Sequence, residues 1–154
     1  MKKIAIIVCL LASSQALACP DLTGRYMFSS SSTLDVTQDR DPDTGMTTYN
    51  FTTTDEACEK CTHTKIYRAD GKVTKKYFVD NIRVESTKAY CSDGVLHVRM
   101  KADTYYKGDH IATFTDNYDF SLNERQGLVE EEIKDGYVYR SSTHYRLVEL
   151  PSAD

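Results

Sequence analysis

Apolar and polar residues alternate along most of this chain. Leu96, Val98, Met100 and Ala102 share one phase, and His97, Arg99, Lys101 and Asp103 share the other. That is the period of a strand with one face in a core and one in water. In the next segment Ala112, Phe114, Tyr118, Phe120 and Leu122 are in phase with Asp116, opposite Thr113, Thr115, Asn117, Asp119 and Ser121. Near the end, Tyr137, Tyr139, Tyr145 and Leu147 group in the same way. Apolar residues rarely recur at three- and four-residue spacing, so no helix is predicted.

Turn chemistry divides these runs. Asp70-Gly71, Asp93-Gly94 and Asp135-Gly136 are tight-turn pairs, because both residue types accept positive φ. Lys107-Gly108-Asp109 and residues 124–127 mark two more reversals. The predicted strands are 22–36, 46–54, 62–69, 72–80, 82–91, 94–105, 110–122, 127–134 and 137–149. Residues 38–45, with their acids and Pro42, form the one longer loop. Eight to nine antiparallel strands joined by tight turns make an all-β, up-and-down meander. A long meander with one apolar face curls to remove its edges, which predicts a closed or partly closed barrel. A two-sheet β-sandwich is the alternative.

The first eighteen residues do not fit this pattern. Lys2 and Lys3 precede an unbroken apolar run, Ile4 to Ala12, and Ala16-Leu17-Ala18 has the small-x-small form of a cleavage site. Residues 1–18 are therefore read as a signal peptide and 19–154 as a single domain, exported to the periplasm or secreted. Removing the leader takes away two lysines, so 17 cations face 23 acids and the net charge becomes −6. That balance argues against nucleic acid and anionic membrane as the main partner. No second long apolar run suggests a transmembrane span.

Cysteine usage supports export. Cys9 leaves with the leader, and Cys19, Cys58, Cys61 and Cys91 remain, an even number suited to disulfides. Bridges from Cys58 and Cys61 to the distant Cys19 and Cys91 would close long loops, and are preferred for that reason. Cys58–Cys61 with Cys19–Cys91 is the competing pairing. A lipid anchor at Cys19 is the competing fate of that residue; it would strand one thiol, and Ala16 stands where leucine is usual.

Asp21-Leu22-Thr23-Gly24-Arg25-Tyr26 resembles the opening of lipocalin and calycin-type barrels, in which Gly-x-Trp marks the first strand. Gly24 holds the glycine's place and Tyr26 the tryptophan's. The resemblance implies an up-and-down barrel, often with a pocket for small apolar molecules. It also implies a basic residue from the last strand, here Arg146, packed over the Tyr26 ring.

Candidate chemistry is sparse. Cys58-Glu59-Lys60-Cys61 has redox spacing but lacks the helix start that activates such a thiol, so a structural disulfide is expected. A four-thiolate zinc site would want a second Cys-x-x-Cys, and no metal or other cofactor is expected. His63, His97, His110 and His144 are scattered and read as solvent-facing. No serine, histidine and acid are aligned by any motif, so the protein is not read as an enzyme. Glu130 and Glu132 share one face of a strand that reads as solvated. Asp116 lies in phase with an apolar face, where it needs a partner or could orient a ligand. Tyr105-Tyr106, beside Lys107-Gly108, is the best candidate for an exposed contact. Asn50-Phe51-Thr52 is a formal glycosylation sequon, attributed to chance because the leader looks bacterial.

The expected function is that of a small exported binding protein without catalysis, holding a small apolar or amphipathic ligand near Leu96, Met100, Phe114, Asp116 and Tyr118. A protein-binding module, such as an enzyme inhibitor or envelope adaptor with a packed interior, is the alternative.

Overall fold

The computed structural model describes residues 19–55, 58, 61–79, 82–135 and 139–149. The predicted signal peptide, the Glu59-Lys60 turn, Gly136 and Tyr137 lie outside them. Ten strands run in chain order: β1 (Gly24–Ser29), β2 (Ser32–Arg40), β3 (Thr47–Asp55), β4 (Thr62–Arg68), β5 (Val73–Phe78), β6 (Arg83–Ser92), β7 (Val95–Tyr106), β8 (Asp109–Leu122), β9 (Leu128–Asp135) and β10 (Tyr139–Glu149). Among the described residues no helix is long and apolar enough to cross a membrane.

The tenth strand comes from the predicted segment 22–36, which divides at Ser30 and Ser31. Ser29 pairs with Ser32 across that turn. A serine run carries neither glycine nor proline, so its reversal left no strong mark in the sequence. Asp93-Gly94 behaves as its composition demands: φ is 52° at Asp93 and 74° at Gly94, the left-handed pair of a two-residue hairpin.

All ten strands form one sheet rather than the two of a sandwich, in the order β4-β3-β2-β1-β10-β9-β8-β7-β6-β5. Each pairing is antiparallel, and β1 joins β10 through Tyr26↔Leu147 and Met27↔Arg146. The meander is thus joined through its first and last strands. Its two edges, β4 and β5, are consecutive in the chain but not hydrogen-bonded to each other. The result is a partly closed barrel.

The concave face holds the core. Tyr26, Leu34, Val36, Tyr49, Phe51, Tyr67, Ala89, Leu96, Val98, Phe120 and Leu128 are buried together with Leu22. The sheet curls far enough for the ring centroids of Phe51 on β3 and Phe120 on β8 to lie 4.7 Å apart. The chain before β1 seals one end, called here the base. Tyr26 donates its hydroxyl to the Leu22 carbonyl at 2.8 Å, and Tyr49 donates to that of Pro20 at 2.6 Å. Gly24 is required by close approach: a Cβ there would meet Leu147 Cδ1 at 2.8 Å and the Tyr26 ring at 3.2 Å.

Two disulfides form, Cys19–Cys91 and Cys58–Cys61, with Cα separations of 5.1 and 5.4 Å. This is the competing pairing, not the preferred one. Loop-closure reasoning favours distant partners, but Cys91, on β6, is paired with Leu96 of β7, beside the core and against the sealed base. Cys58 and Cys61 instead share the β3–β4 connection, where the Cys61 amide bonds the Cys58 carbonyl at 3.2 Å. With all four sulfurs oxidised, the four-thiolate zinc reading falls. Two disulfides fit an oxidising compartment.

The resemblance expectation for Arg146 is not met. Arg146 faces outward and is exposed, whereas Leu147 is the residue opposite Tyr26. One residue of strand register separates the two faces.

Candidate functional site at the open seam

No ladder of backbone hydrogen bonds bridges the seam between β4 and β5. At the base it is closed, where the Gly71 amide donates to the Ala89 carbonyl at 2.9 Å. Away from the turn the edges part and leave a groove of about 490 Å³. Its floor is Tyr67, Ala89 and Met100; its rim carries Lys65 and Arg68 from β4, Lys72 just before β5, and Lys76 from β5. Among the described residues Glu85 is the one carboxylate lining it, and Arg83 already pairs with it at 2.7 Å. A chain with an acidic total charge thus gathers four cations around an apolar floor.

Strand alternation places these groups. On β4, Tyr67 and Lys65 point inward at successive inner positions opposite Tyr49 and Phe51. On β5 the inner positions are Thr74 and Lys76, opposite Thr87 and Glu85. Lys65 reaches across the interior, its Nζ 5.6 Å from the Tyr118 ring centroid, a favourable cation–π distance.

Behind the groove the inner wall of β8 and β9 is acidic. Glu130 accepts the Tyr145 hydroxyl, and Glu132 pairs with Lys134 at 3.0 Å. Burial first, then the Glu130 hydrogen bond and charge, push the Tyr145 hydroxyl far above its ordinary pKa. Tyr118 moves the same way, chiefly through burial and next through the Glu132 hydrogen bond. Glu130 and Glu132 therefore do not sit on a solvated face. They point inward, and the Glu132 side chain is only 18 % exposed. Val129 and Ile133, paired with His144 and Arg140, take the outer face instead.

Of the five residues expected near a ligand, the structure brings three together. Met100 lies opposite Asp116 in the β7–β8 ladder, and Tyr118 is the next inner residue of β8, opposite Val98. Met100 alone of the five lines the groove. Leu96 is fully buried in the core, and Phe114 is 59 % exposed towards the far end of the same ladder. The lysines and Tyr67 were missed. Their signal was the run Lys72-Val73-Thr74-Lys75-Lys76, typical of a guarded strand edge, but sequence order alone hides that β4 and β5 part.

One outer-face histidine departs from expectation. His97 is only 16 % exposed as a side chain. Its Nε2 lies 2.9 Å from Ser92 Oγ and its Nδ1 2.8 Å from Asp119 Oδ1, so a serine, a histidine and an acid do align across β6, β7 and β8. Arg99 Nη1 takes the same Asp119 oxygen at 2.6 Å, and the Tyr90 ring stacks on His97 at 4.9 Å. Burial raises the Asp119 pKa, but the Arg99 and His97 hydrogen bonds outweigh it and hold the carboxyl below the usual range. A carboxylate already neutralised by a permanent cation, on a convex sheet face, reads as a clasp across three strands. Among the described residues no three of His, Cys, Asp and Glu are placed to hold a metal.

No protein-family model, curated protein or solved structure matches this chain.

Proposed function

We propose that this is an exported, non-catalytic binding protein of the periplasm or cell exterior, and that the seam groove holds a small amphipathic molecule with an anionic head. The observation that carries the reading is the pairing of an apolar floor, Tyr67, Ala89 and Met100, with a rim of Lys65, Arg68, Lys72 and Lys76. Ligand sites commonly combine an apolar lining with a few oriented polar groups. The leader and the two disulfides support export.

The test is titration with the anionic, environment-sensitive dye anilinonaphthalene sulfonate, beside a neutral dye of similar ring size. The anionic dye should bind with enhanced fluorescence, and Lys72→Glu with Lys76→Glu should weaken it roughly tenfold or more. Met100→Lys should weaken both dyes. Near-ultraviolet circular dichroism must stay native, since loosened cores also bind such dyes. Equal dye binding by the lysine variant, or none by the native protein, would overturn the reading.

A second reading, a protein-binding module, is favoured by the two strand edges flanking the seam, where an extended segment could add as a strand. Capture of a stoichiometric protein partner, with no dye binding, would select it.

A further inference from the structure

The groove at the seam has two unlike walls. On one side it is lined by five consecutive residues of β4, Thr64 to Arg68. Successive side chains of a strand point to opposite faces. A strand therefore lines a cleft with consecutive residues only where its backbone edge borders that cleft. On the other side alternate residues take part: Lys72, Thr74 and Lys76, then Glu85, Thr87 and Ala89. That wall is the inner face of a sheet.

The β4 edge is well formed for pairing. β4 is an end strand of the sheet and bonds to β3 alone. Its register from Thr48↔Arg68 to Thr54↔Thr62 runs without a shift, whereas β1 and the β7–β8 ladder are interrupted. Thr62–Arg68 contains no proline, and every residue of it except Tyr67 is exposed. Bulges, prolines and outward lysines are the usual means of blunting a free edge. β5 carries such a guard in Lys75, but the outward positions Thr64 and Ile66 of β4 are uncharged, and Ile66 is 61 % exposed. Five residues at about 3.3 Å each make roughly 17 Å of open backbone beside the groove.

A compact head group would use a small part of that length. An extended chain matches it, with its amides meeting those of β4 at the strand repeat and its alternate side chains entering the floor of Tyr67, Ala89 and Met100. The rim sets the sign of the charge. Lys65, Arg68, Lys72 and Lys76 surround the floor. Lys65 and Lys76 lie over the rings of Tyr118 and Phe78, and Arg83 holds Glu85. We infer that the amphipathic, anionic occupant of the groove is a short acidic peptide in extended form, added to β4 as an eleventh strand, an assignment that rests on the seam groove being the binding site.

Fluorescence anisotropy with labelled synthetic peptides tests it, using the full mature chain with its disulfides intact. The probe is an octapeptide of alternating glutamate and valine. It should bind, and should slow hydrogen exchange at β4 amides. The lysine–valine counterpart should bind roughly tenfold or more weakly, because the rim repels it. Two further probes carry N-methyl groups on one or the other alternate set of amides. An added strand turns only one set towards its neighbour. One methylated probe should therefore lose roughly tenfold or more in affinity, and the other should bind like the parent. Both methylated probes binding like the parent, or both weakened alike, would overturn the inference. So would failure of the acidic probe to bind a protein that still binds the anionic dye, an outcome that leaves the groove itself standing. Binding of neither peptide nor dye would overturn both.

Discussion

Tyrosine hydroxyls, rather than charges, satisfy much of the interior's polarity. Tyr26 and Tyr49 each spend a phenolic proton on a carbonyl of the chain that seals the base. Burial first, and Asp21 second, push the Tyr26 pKa from 10.0 up to about 12; Tyr49 is raised further for the same reasons. A raised acid favours the folded state while it stays protonated. That stability is complete below the unfolded value and is lost as pH climbs through the folded one. Unfolding should therefore set in between about pH 10 and pH 12, with phenolate absorbance rising together with loss of near-ultraviolet dichroism. Phenolate absorbance that rises first, with the fold intact, would contradict it. Alternation alone placed Tyr118 and Phe120 correctly inside, because a strand has only two faces. It misjudged Glu130 and Glu132, since two carboxylates in phase look like a wetted surface until a tyrosine hydroxyl is found bonded to each, Tyr145 to Glu130 and Tyr118 to Glu132.

At the level of elements, the two disulfides constrain the chain very differently. Cys19–Cys91 spans 72 residues and Cys58–Cys61 only three. In the chain-entropy account the first stabilises by about 4 kcal/mol and the second by about 2 kcal/mol at most. Replacing Cys19 and Cys91 by serine should accordingly lower the urea midpoint much more than the same change at Cys58 and Cys61. The first change also loosens the chain that carries Leu22 into the core. Equal shifts for the two variants would rule this out. Strand positions were legible because turn pairs such as Asp93-Gly94 need left-handed backbone, which few residues accept. The Ser30-Ser31 reversal was not, and neither was the pairing of the cysteines, which depends on where the ladders bring Cys91.

For the whole molecule, the deciding fact is cyclic order. Hairpin after hairpin was readable, but which strands meet last was not, because β1–β10 pairing is set by curvature and core packing rather than by any local motif. That missing fact also hid the groove: its lysines lie on strands that the chain joins and the sheet separates. Of the residues expected at a site, Met100 came to line the groove through its inner phase on β7, while Leu96, two inner positions from it, went into the core.

The same cyclic order leaves the chain's direction of entry almost arbitrary. Residues at the start of β1 and the end of β10 are ladder neighbours, and no ladder of backbone hydrogen bonds spans the Asp70-Gly71 turn. A circular permutant, with a short linker joining the native ends and new termini at that turn, should therefore fold to the same barrel with little change in its denaturation midpoint. A cut at Asp93-Gly94 would split the β6–β7 hairpin and should lower it clearly.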